Sequence, residues 1–150
     1  MGKVVLISCV STKLEKKAKA SDLYISPLFK MNYAYAKMLK PTSIYILSAK
    51  YGLLNPDTII EPYNETLNTM KNAQIKDWAI DVIDQMEGKI DFKKDEIIFL
   101  AGERYRKFLM PLCRNAKVPL LGLGIGKQLG WLKRKLEDKR HETTDNAKLF

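Results

Sequence analysis

Four short apolar runs, separated by segments with helical periodicity, constrain the fold of this 150-residue chain most strongly. The runs cover residues 4–7, 44–47, 96–101 and 118–121 and are rich in valine, isoleucine and leucine. Such short, β-branched runs are typical of strands that are buried on both faces. Strands that alternate with helices form a parallel sheet covered by those helices. We therefore predict an α/β protein of three layers, α/β/α, with a four-stranded parallel sheet.

The helices are predicted from capping residues and from apolar spacing. Ser26 followed by proline marks the start of the first helix, and Pro41 ends it. A second amphipathic helix ends at Gly88, a short helix follows residue 102, and the last helix begins near Lys127. The outer face of the second helix is acidic, with Asp77, Asp81 and Asp84.

Length and cysteine content indicate one domain in a reducing compartment. We predict a single domain over residues 1–140 and a loose tail over residues 141–150. The two cysteines, Cys9 and Cys113, are too far apart in sequence to suggest a ligand cluster. The chain has no signal-peptide pattern and no apolar segment long enough to cross a bilayer, so we expect a cytoplasmic protein without a membrane partner.

The charge balance indicates a polyanionic partner. The chain has 26 Lys and Arg residues against 17 Asp and Glu residues, a net charge of +9 at pH 7. Such a balance favours nucleic acid as the partner if the positive charge is gathered on one surface.

Polar segments follow each predicted strand. Ligands of parallel α/β sheets bind beyond the carboxyl ends of the strands, so the segments 8–19, 48–65, 102–107 and 122–128 are expected to converge. The first two segments, with the residues that lead into the first helix, supply the predicted substrate-binding set. That set is Ser8, Cys9, Lys13, Tyr24, Ser26, Lys50, Tyr51, Gly52 and Tyr63.

A glycine-rich turn precedes the last helix. Its backbone N–H groups, the helix N-terminus and nearby cations suit a phosphate of a nucleic acid. Its spacing matches neither the Walker loop nor the dinucleotide fingerprint. Tight turning is the alternative reason for the glycines. The predicted phosphate-binding residues are Arg104, Gly122, Gly124, Gly126, Lys127 and Gln128.

The residue types available restrict the chemistry. The one histidine, His141, lies in the predicted tail, which argues against a zinc hydrolase or a Ser-His-Asp triad. We expect neither a metal nor another cofactor. Without a histidine partner, Cys9 is expected to line the pocket rather than to act as a nucleophile. The candidate catalytic residues are therefore carboxylates and an amide in the converging segments: Glu61, Asn64, Glu65 and Glu103.

Several segments together resemble a known family. They are Cys9 with the lysines after it, residues 22–29, the motif Leu-Ser-Ala-Lys-Tyr-Gly-Leu at residues 47–53, and residues 62–67 and 124–129. They are similar to a small prokaryotic and phage family of unknown function, over about residues 4 to 132. Similar motifs occur in the uracil-DNA-glycosylase-like domain of archaeosine synthases. The likeness extends more distantly to bacterial peroxide-stress DNA-binding proteins.

The resemblance implies a uracil-DNA-glycosylase-like fold and favours DNA over RNA as the partner. It would put residues 8–13 in the place of the water-activating loop and residues 122–129 in the place of the DNA-inserting loop. The chain departs from that pattern because the first loop has no Asp or Asn, and Asn64 stands where an acid usually follows Pro-Tyr.

Three hypotheses follow from the sequence. The first is a nucleic-acid-binding protein that takes a base into a pocket and cleaves the N-glycosidic bond of a modified base, in defence against phage. The second is a DNA- or RNA-binding module without activity. The third is an enzyme or sensor of a free nucleotide.

Overall fold

The computed structural model describes residues 2–8 and 13–148, with side chains through residue 140. Its centre is a five-stranded sheet of order β4-β3-β1-β6-β7. The strands are β1 (Lys3–Ser8), β3 (Ser43–Ser48), β4 (Gly52–Leu54), β6 (Glu96–Leu100) and β7 (Asn115–Lys117). A separate antiparallel pair joins β2 (Ala18–Lys19) to β5 (Ile59–Ile60). The helices are α1 (Ala20–Leu23), α2 (Pro27–Met38), α3 (Asn72–Met86), α4 (Glu103–Arg106) and α5 (Ile125–Lys148).

The parallel centre of the sheet agrees with the prediction. β1 lies between β3 and β6 and pairs with both in parallel, with Val5 opposite Ile44 on one side and Ile98 on the other. Val5, Leu6 and Ile7 have no exposed surface. Complete burial of a central strand explains why its sequence is a continuous apolar run and not an alternating one.

Two edges of the sheet differ from the prediction of four parallel strands. β4 pairs antiparallel with β3, with Gly52 opposite Ser48, in a segment predicted to be loop. Leu53 and Leu54 of this hairpin are buried and cover the edge of β3. Only residues 49–51 separate the two strands, and β4 has only three residues. Its short apolar run is therefore not recognisable as a separate strand in the sequence.

The last parallel strand is also placed differently. The prediction of a strand at residues 118–121 is wrong: the strand is β7, at Asn115–Lys117, and residues 119–122 form turns. Among the described strands, β7 pairs only with β6, and its Lys117 forms an ion pair with Glu96 of that strand, with Nζ and Oε1 3.2 Å apart. An edge strand tolerates polar side chains, so it lacks the apolar signature of a central strand.

The predicted start of α2 is confirmed in detail. Ser26 Oγ accepts a hydrogen bond from the Phe29 backbone N–H at 3.2 Å, and proline occupies the first helical position. The helix ends at Met38, and Lys40, with φ of 50°, turns the chain before Pro41. α5 packs against α2, where the rings of Tyr35 and Trp131 meet edge to face with centroids 5.1 Å apart.

Two further findings concern helices. α5 continues to Lys148, so its backbone remains helical through most of the segment predicted to be a loose tail. Among the described residues, no helix is long and apolar enough to cross a membrane.

Candidate functional site

The carboxyl end of the sheet holds a cavity of about 320 Å³. After β1 the chain continues to β3 on one side of β1, and after β6 it continues to β7 on the other side. The loops that follow β1 and β6 therefore run in opposite directions. A crevice forms at such a reversal of strand order, which is where α/β sheets bind ligands. The cavity is lined there by Ser8 at the end of β1 and by Leu100 through Glu103 after β6.

A hydrogen bond across the crevice fixes the position of the two strand ends. Ser8 is 6 % exposed, and its Oγ accepts a hydrogen bond from the Gly102 N–H at 3.1 Å. A buried hydroxyl that holds a neighbouring backbone amide keeps the cavity rigid on this side.

Helix α2 contributes Asn32 to the cavity wall. Its side chain is only 4 % exposed, and Oδ1 has no hydrogen-bond partner among the described residues. An unsatisfied buried acceptor costs about 1–3 kcal/mol. Most buried polar atoms in proteins are satisfied, so this acceptor is an exception for which the described residues offer no partner.

Aromatic and charged side chains complete the cavity. Phe99, with no exposed surface, and Tyr105, 4 % exposed, line its interior. Half-buried Arg106 donates from Nη1 to the Ala101 carbonyl at 2.7 Å, which fixes the guanidinium against the wall. Exposed Glu103 also lines the cavity and brings a carboxylate to its mouth.

The turn before α5 forms the opposite rim. Gly122 has φ of 80°, a backbone conformation that favours glycine, and Gln128 donates from Nε2 to the Leu123 carbonyl at 2.8 Å. Gly122, Gln128 and Ile125 line the cavity, whereas Lys127 is exposed beside it in the first turn of the helix. Gly124 and Gly126 are exposed on the same turn.

A second cluster lies at the end of β3. Ser48, which is fully buried, donates from Oγ to the Tyr63 hydroxyl at 2.7 Å, and the hydroxyls of Tyr63 and Tyr24 are 2.6 Å apart. Ser48 Oγ also accepts the backbone N–H groups of Lys50 and Tyr51, at 3.3 and 3.0 Å. This hydrogen-bonded cluster therefore joins the β3 turn to the segments on either side of it.

The cluster carries two lysines on aromatic faces. Lys13 Nζ lies 4.5 Å from the ring centroid of Tyr63, and Lys50 Nζ lies 5.3 Å from that of Tyr51. Tyr24 has no exposed surface and Tyr63 is 7 % exposed, whereas Tyr51 is half-buried. Of the three tyrosines, Tyr51 is therefore the one with ring surface open to solvent.

Gly52 has a structural role in the same turn. Its φ is +75°, and a Cβ there would overlap with the Gln85 Oε1. Gln85 accepts the Leu53 N–H through Oε1 at 2.8 Å and donates through Nε2 to the Tyr51 carbonyl at 3.1 Å. Helix α3 thus holds the hairpin from outside, and a side chain at residue 52 would displace this contact.

The predicted site residues fall into three groups. Ser8, Glu103, Gly122 and Gln128 line the cavity. Lys13, Tyr24, Lys50, Tyr51 and Tyr63 meet in the cluster at the end of β3. The third group lies elsewhere: Glu61, Asn64 and Glu65 are exposed and do not line the cavity, Ser26 caps α2, and Arg104 donates to the Met70 carbonyl at 3.3 Å. Gly52 lies in the turn after β3, Gly124, Gly126 and Lys127 are exposed around the start of α5, and Cys9 is outside the described residues.

The cysteines bear little on this site. The prediction for Cys9 falls outside the described residues. Cys113 is a free, half-buried thiol, and burial raises its pKa to about 11. Among the described side chains, no three His, Cys, Asp or Glu residues are grouped as a metal would require.

Asn32 and Arg106 are among the cavity residues that were not predicted from the sequence. Asn32 follows Leu28 by one helical turn, so a polar residue on an otherwise apolar helix face was the available signal. Arg106 stands two residues after Arg104, and only the turn of α4 decides which of the two faces the cavity.

Comparison with known proteins gives relatives without a described function. The chain is 33% identical over 129 residues to the uncharacterized protein YfjM of Bacillus subtilis, an alignment that covers 83% of each chain. It is 36% identical over 88 residues to a UPF0246 protein of Polynucleobacter necessarius, which covers 50% of this chain and only 34% of that protein. No solved structure matches this one.

A family model extends over most of the sequence. It describes a family of unknown function, DUF6884, and it matches residues 4–134. The matched region includes every element from β1 to the first turns of α5, and with it all the residues that line the cavity. The chain therefore belongs to DUF6884.

Proposed function

We propose that this protein binds nucleic acid and takes a base into the cavity at the carboxyl edge of the sheet. The observation that carries the proposal is Asn32 Oδ1, a buried hydrogen-bond acceptor without a partner among the described residues, in a cavity at the reversal of strand order. A buried acceptor at this place favours a ligand that brings an N–H group.

A nucleobase meets the requirements of this cavity. Bases carry N–H donors on their edges, and their flat, largely apolar faces suit a wall that is built partly from aromatic and aliphatic side chains, among them Phe99, Tyr105 and Leu100. A volume of about 320 Å³ is at the lower end of the range for ligand pockets, which suits one base better than a larger cofactor.

Charge supports a phosphate-bearing partner around the base. Arg106 lies in the cavity wall, Lys127 stands beside the rim, and the whole chain carries a net charge of +9. Cations in such positions attract the backbone on either side of a base that has left the stack.

The reaction we propose is hydrolysis of the N-glycosidic bond of a modified base, in defence against phage DNA. Glu103 would orient the water that adds to the sugar C1′, and the base would leave with its bonding electrons and take up a proton. Glu103 is favoured over Glu61 and Glu65 because it lines the cavity and they do not. A uracil-DNA-glycosylase-like fold in three layers is part of the same proposal.

Abasic-site formation tests the reaction directly. Duplex and single-stranded DNA, unmodified or containing uracil, hypoxanthine or a hydroxymethylated base, is incubated with the protein and then cleaved with hot alkali. We expect strand breaks at one class of modified base. Glu103→Gln should lower the cleavage rate about 10²-fold without weakening DNA binding, whereas Glu87→Gln, an exposed control on α3's carboxyl end, should leave the rate unchanged.

The outcomes separate the three hypotheses. Tight, salt-dependent DNA binding without strand breaks on any substrate would leave a binding module. No DNA binding, together with saturable binding of a free nucleotide, would favour a nucleotide enzyme or sensor. Loss of cleavage in Glu65→Gln but not in Glu103→Gln would transfer the catalytic role to the segment after β5.

A further inference from the structure

Helix α5 connects the cavity to a basic surface that the proposed site does not use. Ile125 and Gln128, in its first turn, line the cavity, and the helix then runs on through Lys148. At 1.5 Å per residue, the stretch from Lys127 to Arg140 is about 20 Å long. Cations on this stretch therefore extend far beyond the reach of a single base.

The exposed side of this stretch is predominantly positive. Between residues 125 and 140 there are two acids, Glu137 and Asp138, and six basic residues. The basic residues are Lys127, Lys133, Arg134, Lys135, Lys139 and Arg140, and all six are exposed. At about 100° per residue, Arg134 shares the face of Lys127, and Lys133 and Lys135 project to either side of it, so the positive strip is broad. Its length spans several phosphates of a duplex, which presents one phosphate charge per about 1.7 Å of its axis.

The charges at the middle of the strip form no ion pair within the described part of the fold. Within the part of the chain whose side chains are described, no carboxylate lies at ion-pair distance from Lys133 or Arg134. Lys135 lies over the Trp131 ring, with Nζ 5.4 Å from the centroid, and remains exposed. Unpaired cations held on a rigid helix are available to an anionic partner at little cost in ordering.

The apolar face of α5 is covered at Trp131 and Leu132, beside the basic residues. Leu132 has no exposed surface, and Trp131 packs against Tyr35 of α2. A helix that binds at a membrane surface needs its apolar face free for the lipid. The surface that α5 leaves open therefore suits the backbone of a nucleic acid and not a bilayer.

We infer that the α5 strip, defined by Lys127, Lys133, Arg134 and Lys135, binds the phosphate backbone of the nucleic acid whose base enters the cavity. The inference rests on the proposed function and adds the surface along which the strand lies. Backbone contacts of this kind set position and affinity without reading sequence.

The test compares two triple variants with equal loss of charge. Lys133→Gln/Arg134→Gln/Lys135→Gln neutralises the strip, and Lys89→Gln/Lys93→Gln/Lys94→Gln neutralises three exposed lysines that precede β6, at the opposite edge of the sheet. Binding of a fluorescein-labelled 20-base-pair duplex and of a 20-nucleotide single strand is measured by anisotropy between 50 and 300 mM salt. Circular dichroism and thermal unfolding check that both variants fold.

We expect the strip variant to lose two to three phosphate contacts. Each contact contributes about 0.9 to the slope of log affinity against log salt concentration, so the slope should become shallower by about 2 to 3. Affinity at 100 mM salt should fall about 10²-fold. The Lys89/Lys93/Lys94 variant should keep the wild-type slope, because it loses the same net charge as the strip variant but none of the proposed phosphate contacts.

Each contrary result has a defined meaning. If the wild type binds DNA and both variants lose the same affinity, the effect is one of net charge. That result would overturn the inference about the strip, while the proposed function would stand. An unchanged slope in the strip variant would do the same. Binding of phosphatidylserine vesicles that the strip variant alone loses, with its DNA affinity intact, would assign the strip to a membrane. Absence of wild-type DNA binding would overturn both proposals.

Discussion

Asn32→Leu should make the protein more stable and unable to bind its ligand. The substitution replaces a carboxamide that is 4 % exposed by an apolar side chain of similar size, and it removes the unpaired Oδ1. A buried acceptor without a partner costs about 1–3 kcal/mol, and a leucine at the same place gains apolar burial. We therefore expect the free energy of unfolding to rise by about 1–3 kcal/mol. For a chain of this length that corresponds to about 2–4 °C in Tm for each kcal/mol.

The measurement is urea unfolding of the wild type and the variant, followed by fluorescence, together with DNA anisotropy. The expected combination is a higher midpoint at an unchanged slope and weaker DNA binding. Asn32→Asp serves as the contrasting variant, because it keeps the shape but buries a charge and should lower stability by several kcal/mol. A loss of more than about 1 kcal/mol in Asn32→Leu would refute the reasoning, since it would mean that Oδ1 is satisfied in the free protein.

Three further predictions concern the framework. Gly52→Ala should lower the free energy of unfolding by about 2–4 kcal/mol, and Gly88→Ala should lower it by only about 1 kcal/mol. Both glycines have positive φ, but only a side chain at residue 52 would displace Gln85 from its hydrogen bonds. Equal losses of stability in urea unfolding would contradict this. The backbone N–H groups of Asp91 and Gly2 donate to the Asp95 carboxylate and, with Asp91 contributing most, hold its pKa below the usual range. The charged carboxylate therefore stabilises the fold at pH values above the ordinary aspartate pKa, and this stabilisation is lost as the pH falls through the lowered pKa. Asp95 is largely solvated, so screening limits the effect: Asp95→Asn should cost at most about 1 kcal/mol at pH 7. It should also flatten the acid limb of unfolding below the ordinary aspartate pKa, and an unchanged limb would exclude this role. The Cys113 thiol, with its pKa raised to about 11 by burial, should react with iodoacetamide at pH 8 about 10²-fold more slowly than a free thiol, as read by peptide mass mapping; labelling at the free rate would show that the burial is transient.

The strand-end rule predicted part of the cavity wall without a structure. Ser8 and Glu103 were predicted because each follows an apolar run, and Gly122 and Gln128 because they flank a turn into a helix. All four line the cavity, since parallel strands deliver their carboxyl ends to one edge of the sheet. The rule cannot say how far apart the loops on that edge lie. It therefore grouped Glu61 and Glu65 with Glu103, although neither lines the cavity.

Residues on helices were harder to place. Asn32 lies in the middle of α2, away from every predicted loop, and reaches the cavity only because that helix packs beside β1. Which polar side chain of a helix faces a cavity depends on the rotation and position of the helix in the fold. Local sequence carries a signal only as an interruption of the apolar face.

The sequence by itself determined what depends on local or averaged properties. A central strand buried on both faces must be apolar throughout, so β1, β3 and β6 could be recognised, and capping chemistry marked the start of α2. Only the tertiary structure decided the antiparallel hairpin of β4, the polar edge strand β7, and the meeting of Asn32, Glu103 and Arg106 in one cavity. These features depend on contacts between segments that are distant along the chain. The free energy of such contacts cannot be deduced from the sequence of any one segment.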